Sequence, residues 1–410
     1  MIWWDRWQEV FETHARNRLR SGITAASVAW GIFMLVVLLG AGTGLENNVA
    51  WGFRDDAVNS IWIYGGKTSL PWKGHPVGRS VGFTNRDFAL IRDTVPGVEY
   101  ITGRFYLWGE FAIRWRDKAG AFSVRSCHPD HLYLERTKMV AGRFLNPIDI
   151  EQKRKVTVIG VEVADFLFGD HDPLGETLDI RGIAYQVVGV YEDEGGGGEL
   201  RQVYIPISTA QAAYGGGERV HQIMFTVGDA SVEASEEIAE RVTALLAERH
   251  HFDPADPRAI RIRNNLESFA EIQQIFTWIR AFIWVVGIGT VLAGVVGVSN
   301  IMLISVRERT RELGLRKALG APPGALVAMI LREAVALTAV SGYVGLVAGV
   351  AVIELVRQTV PENDYVRDPE VQLSAAVGAL VLLVVCGALA GWFPARRAAQ
   401  VHPIEALRTE

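Results

Sequence analysis

"VRERTRELGLRKALGAPPG", residues 306–324, sets Arg307, Arg309, Arg311, Arg316 and Lys317 into a helix-prone run between two long apolar stretches. Glu308 and Arg311 stand three apart and Glu312 and Arg316 four apart, spacings at which opposite charges pair on one helix face. Leu315 and Leu319 stack on one turn. Gly320 suits a C-cap, and Pro322 and Pro323 provide a stop. The segment reads as a short helix with a charged side and an apolar side. Fixing topology would take fewer arginines and no ordered leucines, so the pattern points to a docking helix for a partner.

Working outward, the flanks are membrane. With 410 residues, 49% of them hydrophobic, and a positive mean hydropathy, the chain is too long for one ordinary domain and too apolar to be wholly soluble. Spans are expected at 23–45, 276–306, 325–356 and 374–394, since crossing a bilayer takes about 20 mostly apolar residues. The first is longer than a signal-peptide core and begins late, so it reads as an uncleaved anchor. Arg6, Arg16, Arg18 and Arg20 precede it, and Arg396, Arg397 and Arg408 follow the last span, whereas the loop at 357–373 offers Arg357 and Arg367 only. The positive-inside rule therefore makes the N-terminus, the 307–324 helix and the 395–410 tail cytoplasmic, with both termini on the side of the docking helix. Residues 1–22 read as an amphipathic helix, with Trp3, Trp7, Val10, Phe11 and His14 near one face, suited to membrane lipid.

The same reasoning sends residues 46–275 to the other side. They hold 33 acidic and 25 basic residues, a balance that disfavours nucleic acid as a partner. Their ends look like two related strand–helix–strand pieces. "NSIWIY", a helix begun by Thr84 and Asp87, and the alternating "EFAIRWRD" and "AFSVRS" make the first; "HQIMFTV", a helix over 232–250 and "AIRIRN" make the second. Between them "VTVIG", "TLDIRG", "YQVVGVYE" and "QVYIPI" form a β-rich insertion, and Gly195–Gly198 and Gly215–Gly217 read as loops. The expected fold is an α-helical membrane protein of four transmembrane helices with a large α+β extracytoplasmic domain between the first and second.

Chemistry is sparse. Cys127 falls in the ectodomain and Cys386 in the fourth span, so neither an intrachain disulfide nor a metal cluster is built from them. "GGKT" at 65–68 resembles the end of a phosphate-binding loop, but Ile61 stands where that motif needs glycine and Pro71 interrupts any following helix. His250 and His251 are adjacent and cannot share one helix face, so both read as surface residues. No catalytic, cofactor or metal site is expected.

The spans carry small residues at helical spacing: Gly40 and Gly44; Gly289, Ala293 and Gly297; Gly345 and Gly349; Gly387 and Gly391. Such residues let helix backbones approach closely, within one chain or against a second copy. Polar groups are few, and Ser299 and Asn300 read as interhelical hydrogen-bond glue. Arg332 and Glu333 sit near the cytoplasmic end. A polar conduit is not indicated.

"GVSNIMLISVRERTRELGLRKALGA" (297–321), "AGWFPARRAAQVHPIEALR" (390–408) and the stretch from "AGRFLNPIDI" to "YEDEG" (141–195) together resemble the FtsX-like permeases of ABC transporters, in particular the macrolide-exporter (MacB-type) branch, over nearly the whole chain. The resemblance implies a coupling helix at 307–324, with Arg307, Glu308, Arg309, Thr310, Arg311, Glu312, Gly314, Arg316, Lys317 and Gly320 on its motif. Asn300 and Met302 match the preceding stretch, and Pro394, Arg396, Arg397, Pro403 and Ala406 match the tail. It also implies a dimer with two ABC ATPase subunits, ATP and Mg bound by those partners alone, and motion transmitted to an ectodomain that expels substrate. A membrane-fusion adaptor and an outer-membrane duct are possible further partners. The ectodomain should have a porter part, 46–128 and 220–275, and an inserted part, 129–219. The chain departs from the branch in lacking the N-terminal ATPase domain, so its ATPase is expected on a separate subunit. Within the family, lipoprotein release or control of cell-wall hydrolases are alternatives; outside it, a non-transporting membrane signalling protein.

Overall fold

The computed structural model describes residues 18–52, 57–193, 200–360 and 367–400. The expected N-terminal amphipathic helix to residue 17, the Gly195–Gly198 loop and tail positions Pro403, Ala406 and Arg408 lie outside these. The chain opens with α1 (Arg18–Trp51), then β1 (Ser60–Gly65), β2 (Phe83–Thr84), α2 (Asn85–Thr94), β3 (Ile101–Trp115) and β4 (Lys118–Cys127). There follow α3 (His131–Leu134), β5 (Lys138–Gly142), α4 (Pro147–Glu151), β6 (Val156–Gly160), α5 (Val161–Leu167), β7 (Thr177–Ile180), β8 (Ile183–Glu192), β9 (Gln202–Pro206) and α6 (Ile207–Ala213). β10 (Arg219–Val220), β11 (Gln222–Thr226), α7 (Val232–His250) and β12 (Ile260–Asn264) complete the domain, and α8 (Asn265–Glu308), α9 (Thr310–Ala318), α10 (Pro323–Thr359) and α11 (Leu373–Ala399) end the described chain. Two compact units result: residues 50–273, and the four long helices with α9.

In the first unit, β12, β1, β11 and β3 pair antiparallel in that order, the arrangement of a β-α-β-β-α-β unit. Local chemistry sets its helices. Asp87 accepts from the Thr84 N–H at 2.7 Å and hydroxyl at 2.8 Å, closing the start of α2. Asp87 also takes His250 Nε2 at 2.9 Å and Arg249 Nε at 2.7 Å, which ties the end of α7 to the start of α2. His250 is thus a partly buried tether rather than a surface residue. Ile238, Val242 and Leu246, four apart on α7, are buried, as period 3.6 demands.

The sheet does not stop at the expected boundary of 128/129. β3 pairs with β4, β4 runs parallel to β9, and β6, β8 and β5 follow on one hydrogen-bonded path. β3 belongs to both parts: its first half pairs with β11, and its second half, beyond a register break between Tyr106 and Glu110, pairs with β7. The sheet therefore runs through the expected boundary, and residues 50–273 form one compact unit. Phe111, Ile113 and Trp115 are buried while Ala112 and Arg114 are exposed, the alternation of a strand with one covered face.

In the second unit, four helices are long and apolar enough to cross a bilayer. They outrun the expected spans of 23–45, 276–306, 325–356 and 374–394. Hydrogen bonding continues past the apolar windows: α8 begins directly after β12, and α10 continues to Thr359. Pro323 stands at the first turn of α10, where a missing N–H costs nothing.

Candidate functional site

The quoted segment joins α8 to α10. α8 ends at Glu308 because Arg309 leaves helical geometry, at φ −99° and ψ 12°. The ladder is bent rather than cut. The Arg309 N–H donates to the Ser305 carbonyl at 3.1 Å, and the Leu313 N–H to that of Arg309 at 3.0 Å. The Thr310 hydroxyl donates back to the carbonyls of Val306 at 3.1 Å and Arg307 at 2.8 Å, a bond that competes with the ladder and bends helices. At the other end Gly320 adopts φ +94°, and the Ala321 N–H donates to the Arg316 carbonyl at 3.1 Å, closing the helix as a glycine C-cap does. The helix expected over 307–324 is accordingly α9, Thr310–Ala318, and Pro323 begins the next one.

Its residues divide between two sides. Leu313, 3% exposed, and Gly314 are buried, with Leu313 in one core with Leu326, Ile330, Ala395 and Ala398. Arg309 lies 3.6 Å from the carboxylate of Glu333, a residue 5% exposed. Lys317 Nζ donates to the Ala399 carbonyl at 2.8 Å, and Arg316 Nη1 lies 2.9 Å from Met329 Sδ. These contacts fasten α9 to α10 and to the end of α11. Arg307, Glu308, Arg311 and Glu312 are exposed on the other side, with Leu315 and Leu319 exposed at 52% and 80%. Positions 311, 312, 315 and 319, on α9 and its C-cap, stand at the three- and four-residue spacings of a single helix face. Spacing alone divides the segment into a charged and an apolar side, but it does not show that Arg309 pairs with Glu333, an acidic group within an apolar span.

The small residues also divide. A Cβ on Gly40 would meet Ile353 at 2.8 Å; on Gly349, Val36 at 2.8 Å; and on Gly391, Ala334 at 2.8 Å. On Gly345 it would collide with the Ala29 carbonyl, and on Gly387 with the Thr338 hydroxyl. These glycines let α1 approach α10 and α10 approach α11. Gly44 is buried, and its carbonyl accepts the Arg367 N–H at 3.1 Å. Gly297 meets only Thr24, at 3.5 Å, and a Cβ on Gly289 would meet nothing within 4 Å. Gly289, Ala293 and Asn300 are exposed on α8, and so lie outside the packed seams of this chain. The seam between α8 and α1 uses Gly287, against Leu35 at 2.5 Å, and Gly294, against Val28 at 3.1 Å. Those two stand seven apart, a heptad interval that a search at four-residue spacing passes over.

Two family models match in order: the MacB-like periplasmic core domain over residues 21–245 and the FtsX-like permease C-terminal region over 284–403. The macrolide export ATP-binding/permease protein MacB of Chlorobaculum tepidum is 28% identical over 405 residues, 98% of this chain and 61% of its own. That of Bdellovibrio bacteriovorus is 28% identical over 408 residues, with the same coverage of each. The chain thus spans about three fifths of the length of these relatives. The crystal structure of the periplasmic region of MacB from Actinobacillus actinomycetemcomitans matches 54% of this chain and 95% of its own, with a TM-score of 0.44 at 19% identity. With the periplasmic core model covering more than half of its length and the permease model following it, the chain belongs to the MacB-like family of FtsX-type permeases.

Proposed function

We propose that the chain is the permease subunit of an ABC-type export complex: an ATPase docks on the exposed face of α9, and its motion passes along α8 to the ectodomain, which expels cargo on the far side of the membrane. The observation that carries this reading is the two-sidedness of α9. A docking helix must present a face and must not yield when pushed, and the Arg309–Glu333 and Lys317–Ala399 contacts hold the inner side while Arg311, Leu315 and Leu319 face outward. α8 has 44 residues without interruption, or roughly 66 Å at 1.5 Å per residue, long enough to serve as a push rod. Buried hydroxyls within the spans donate to their own helix, Thr338 to the Ala334 carbonyl at 2.9 Å and Ser341 to that of Leu337 at 2.7 Å. Hydroxyls satisfied within their own helix do not hydrate a passage.

The relatives' names join ATP binding to permease function, which supports an ATPase as the partner, with ATP and Mg held there. The cation distribution supports a cytoplasmic side for α9 and for the segments flanking the first and last spans. A second copy is the natural cover for the open face of α8 at Gly289, Ala293 and Asn300, where small residues allow close approach. Affinity purification of the chain in mild detergent tests the docking reading. A P-loop ATPase should co-purify with the wild type and be lost with Arg311→Glu. Equal recovery with both overturns it.

A further inference from the structure

The last turn of α11 does different things on different sides. Ala395 and Ala398 are fully buried in the core that holds Leu313, and the Ala399 carbonyl accepts from Lys317 Nζ. Arg396 and Arg397 are exposed. One turn back stand Trp392 and Phe393, 50% and 51% exposed. The Arg396 guanidinium lies over the Trp392 ring and that of Arg397 over the Phe393 ring, each 4.9 Å from the centroid. Residues four apart are neighbours on a helix surface, so the two pairs form adjoining ladders, each an aromatic ring with a cation above it.

The ladders end a membrane span. Ser374–Ala399 has 26 residues, or roughly 39 Å at 1.5 Å per residue, against a hydrocarbon core of about 30 Å. Its ends therefore reach the head-group layer, where aromatic rings settle and arginines extend toward phosphates. Neither arginine has an ion-pair partner among the described residues, unlike Arg309 and Arg357, which face Glu333 and Asp368. Stacking covers the face of a guanidinium and leaves its N–H edge free to donate. The helix C-terminus carries about −0.5 of a charge, which opposes an anion, but two whole positive charges outweigh it. Cations also complement that dipole, a role that needs neither ring.

We propose that this turn binds one anionic phospholipid of the adjoining leaflet, its phosphate taken by Arg396 and Arg397 and its glycerol and upper acyl chains lying on Trp392 and Phe393. The planar guanidinium matches phosphate geometry. A zwitterionic lipid brings an ammonium that the two guanidiniums repel, so the site selects a net negative head group. Because the same turn receives Lys317, the bound lipid steadies the seat of α9. That consequence rests on the docking reading above; the lipid site does not.

The test places the full chain in nanodiscs of equal phosphatidylcholine and phosphatidylglycerol, without ATPase, and counts the lipids it retains by native mass spectrometry. The wild type should keep phosphatidylglycerol in preference, and Arg396→Gln and Arg397→Gln should each weaken its retention about fivefold. Trp392→Ala, which removes an exposed ring, should weaken it too. Arg357→Gln, in the last turn of α10, is the control and should change nothing. Equal retention of the two lipids by the wild type, undiminished phosphatidylglycerol on the Arg396→Gln/Arg397→Gln double variant, or an equal loss with Arg357→Gln overturns the proposal. With ATPase added, phosphatidylglycerol should tighten its binding to the wild type and not to the double variant. Lipid-blind ATPase binding with the lipid still retained would overturn the link to α9 alone, and an ATPase that never binds would overturn the docking reading instead.

Discussion

Replacing both Leu315 and Leu319 by alanine separates docking from folding. Their side chains are 52% and 80% exposed, so together they leave about 1.3 leucine side chains of apolar surface in water, from 0.52 + 0.80. At about 1.5–3 kcal/mol for burying a whole leucine, covering that surface by a partner stabilises the complex by about 2–4 kcal/mol. Alanine keeps the Cβ, so the expected loss is about 2–3 kcal/mol, or roughly 30- to 150-fold in Kd. Folding should barely register the change, since exposed substitutions stay within about 0.5 kcal/mol. The control is Leu313→Ala on the buried side, 3% exposed, where cavity formation should cost about 2–5 kcal/mol of stability. The assay is titration of the partner ATPase onto the chain in nanodiscs, beside thermal unfolding of each variant. Unchanged ATPase affinity in the double variant, with its fold intact, refutes the assignment of this face.

Gly345→Ala should lower the unfolding temperature in detergent markedly, because the new Cβ collides with backbone at Ala29, whereas Gly289→Ala should leave it unchanged, since nothing lies within 4 Å; equal shifts would refute the seams described. Arg309→Gln should remove the ion pair to Glu333, which is 5% exposed, and lower stability by about 1–3 kcal/mol, visible as a lower unfolding temperature in detergent; no change would show that the ion pair carries nothing. Acid should destabilise the ectodomain between two limits. Burial pushes the pKa of His128 from 6.5 down to about 4, and its Nδ1 accepts the Gly103 N–H at 2.9 Å, which needs a neutral ring. With the folded value below the unfolded one, this contribution is complete above about pH 6.5 and is lost as pH falls toward 4. His131 works in the same direction. A denaturant midpoint that is flat over pH 4–6.5 would contradict the assignment.

Much of this was legible because period and charge are local properties. The 306–324 segment announced a two-sided helix by spacing alone, and α2 announced its start through Thr84 and Asp87. What escaped was tertiary. Whether Arg309, Arg316 and Lys317 point toward a partner or toward the chain itself depends on Glu333, Met329 and Ala399, which only folding brings near. β3 reads as a strand from residue 110 onward, where alternation is clean, but its first half contains Gly103, whose absent Cβ makes room for Val220 and His128. The short β5 and the helices α3 to α6 hold too few residues to show a period. Two histidines read as bland surface, His250 among them, because the Asp87 that one of them meets lies far away in sequence.

The central claim is mechanical transmission from α9 to the ectodomain. Cys127 and Cys386 are buried, so a cysteine placed at exposed Asp229 can be spin-labelled selectively in the complex with its ATPase. Double electron–electron resonance between the labels of two copies should give one distance distribution without nucleotide and a shifted one with a trapped ATP analogue, and the shift should vanish in the Leu315/Leu319 double alanine variant. A distribution unmoved by nucleotide, while the ATPase remains bound and turns over ATP, would contradict the account.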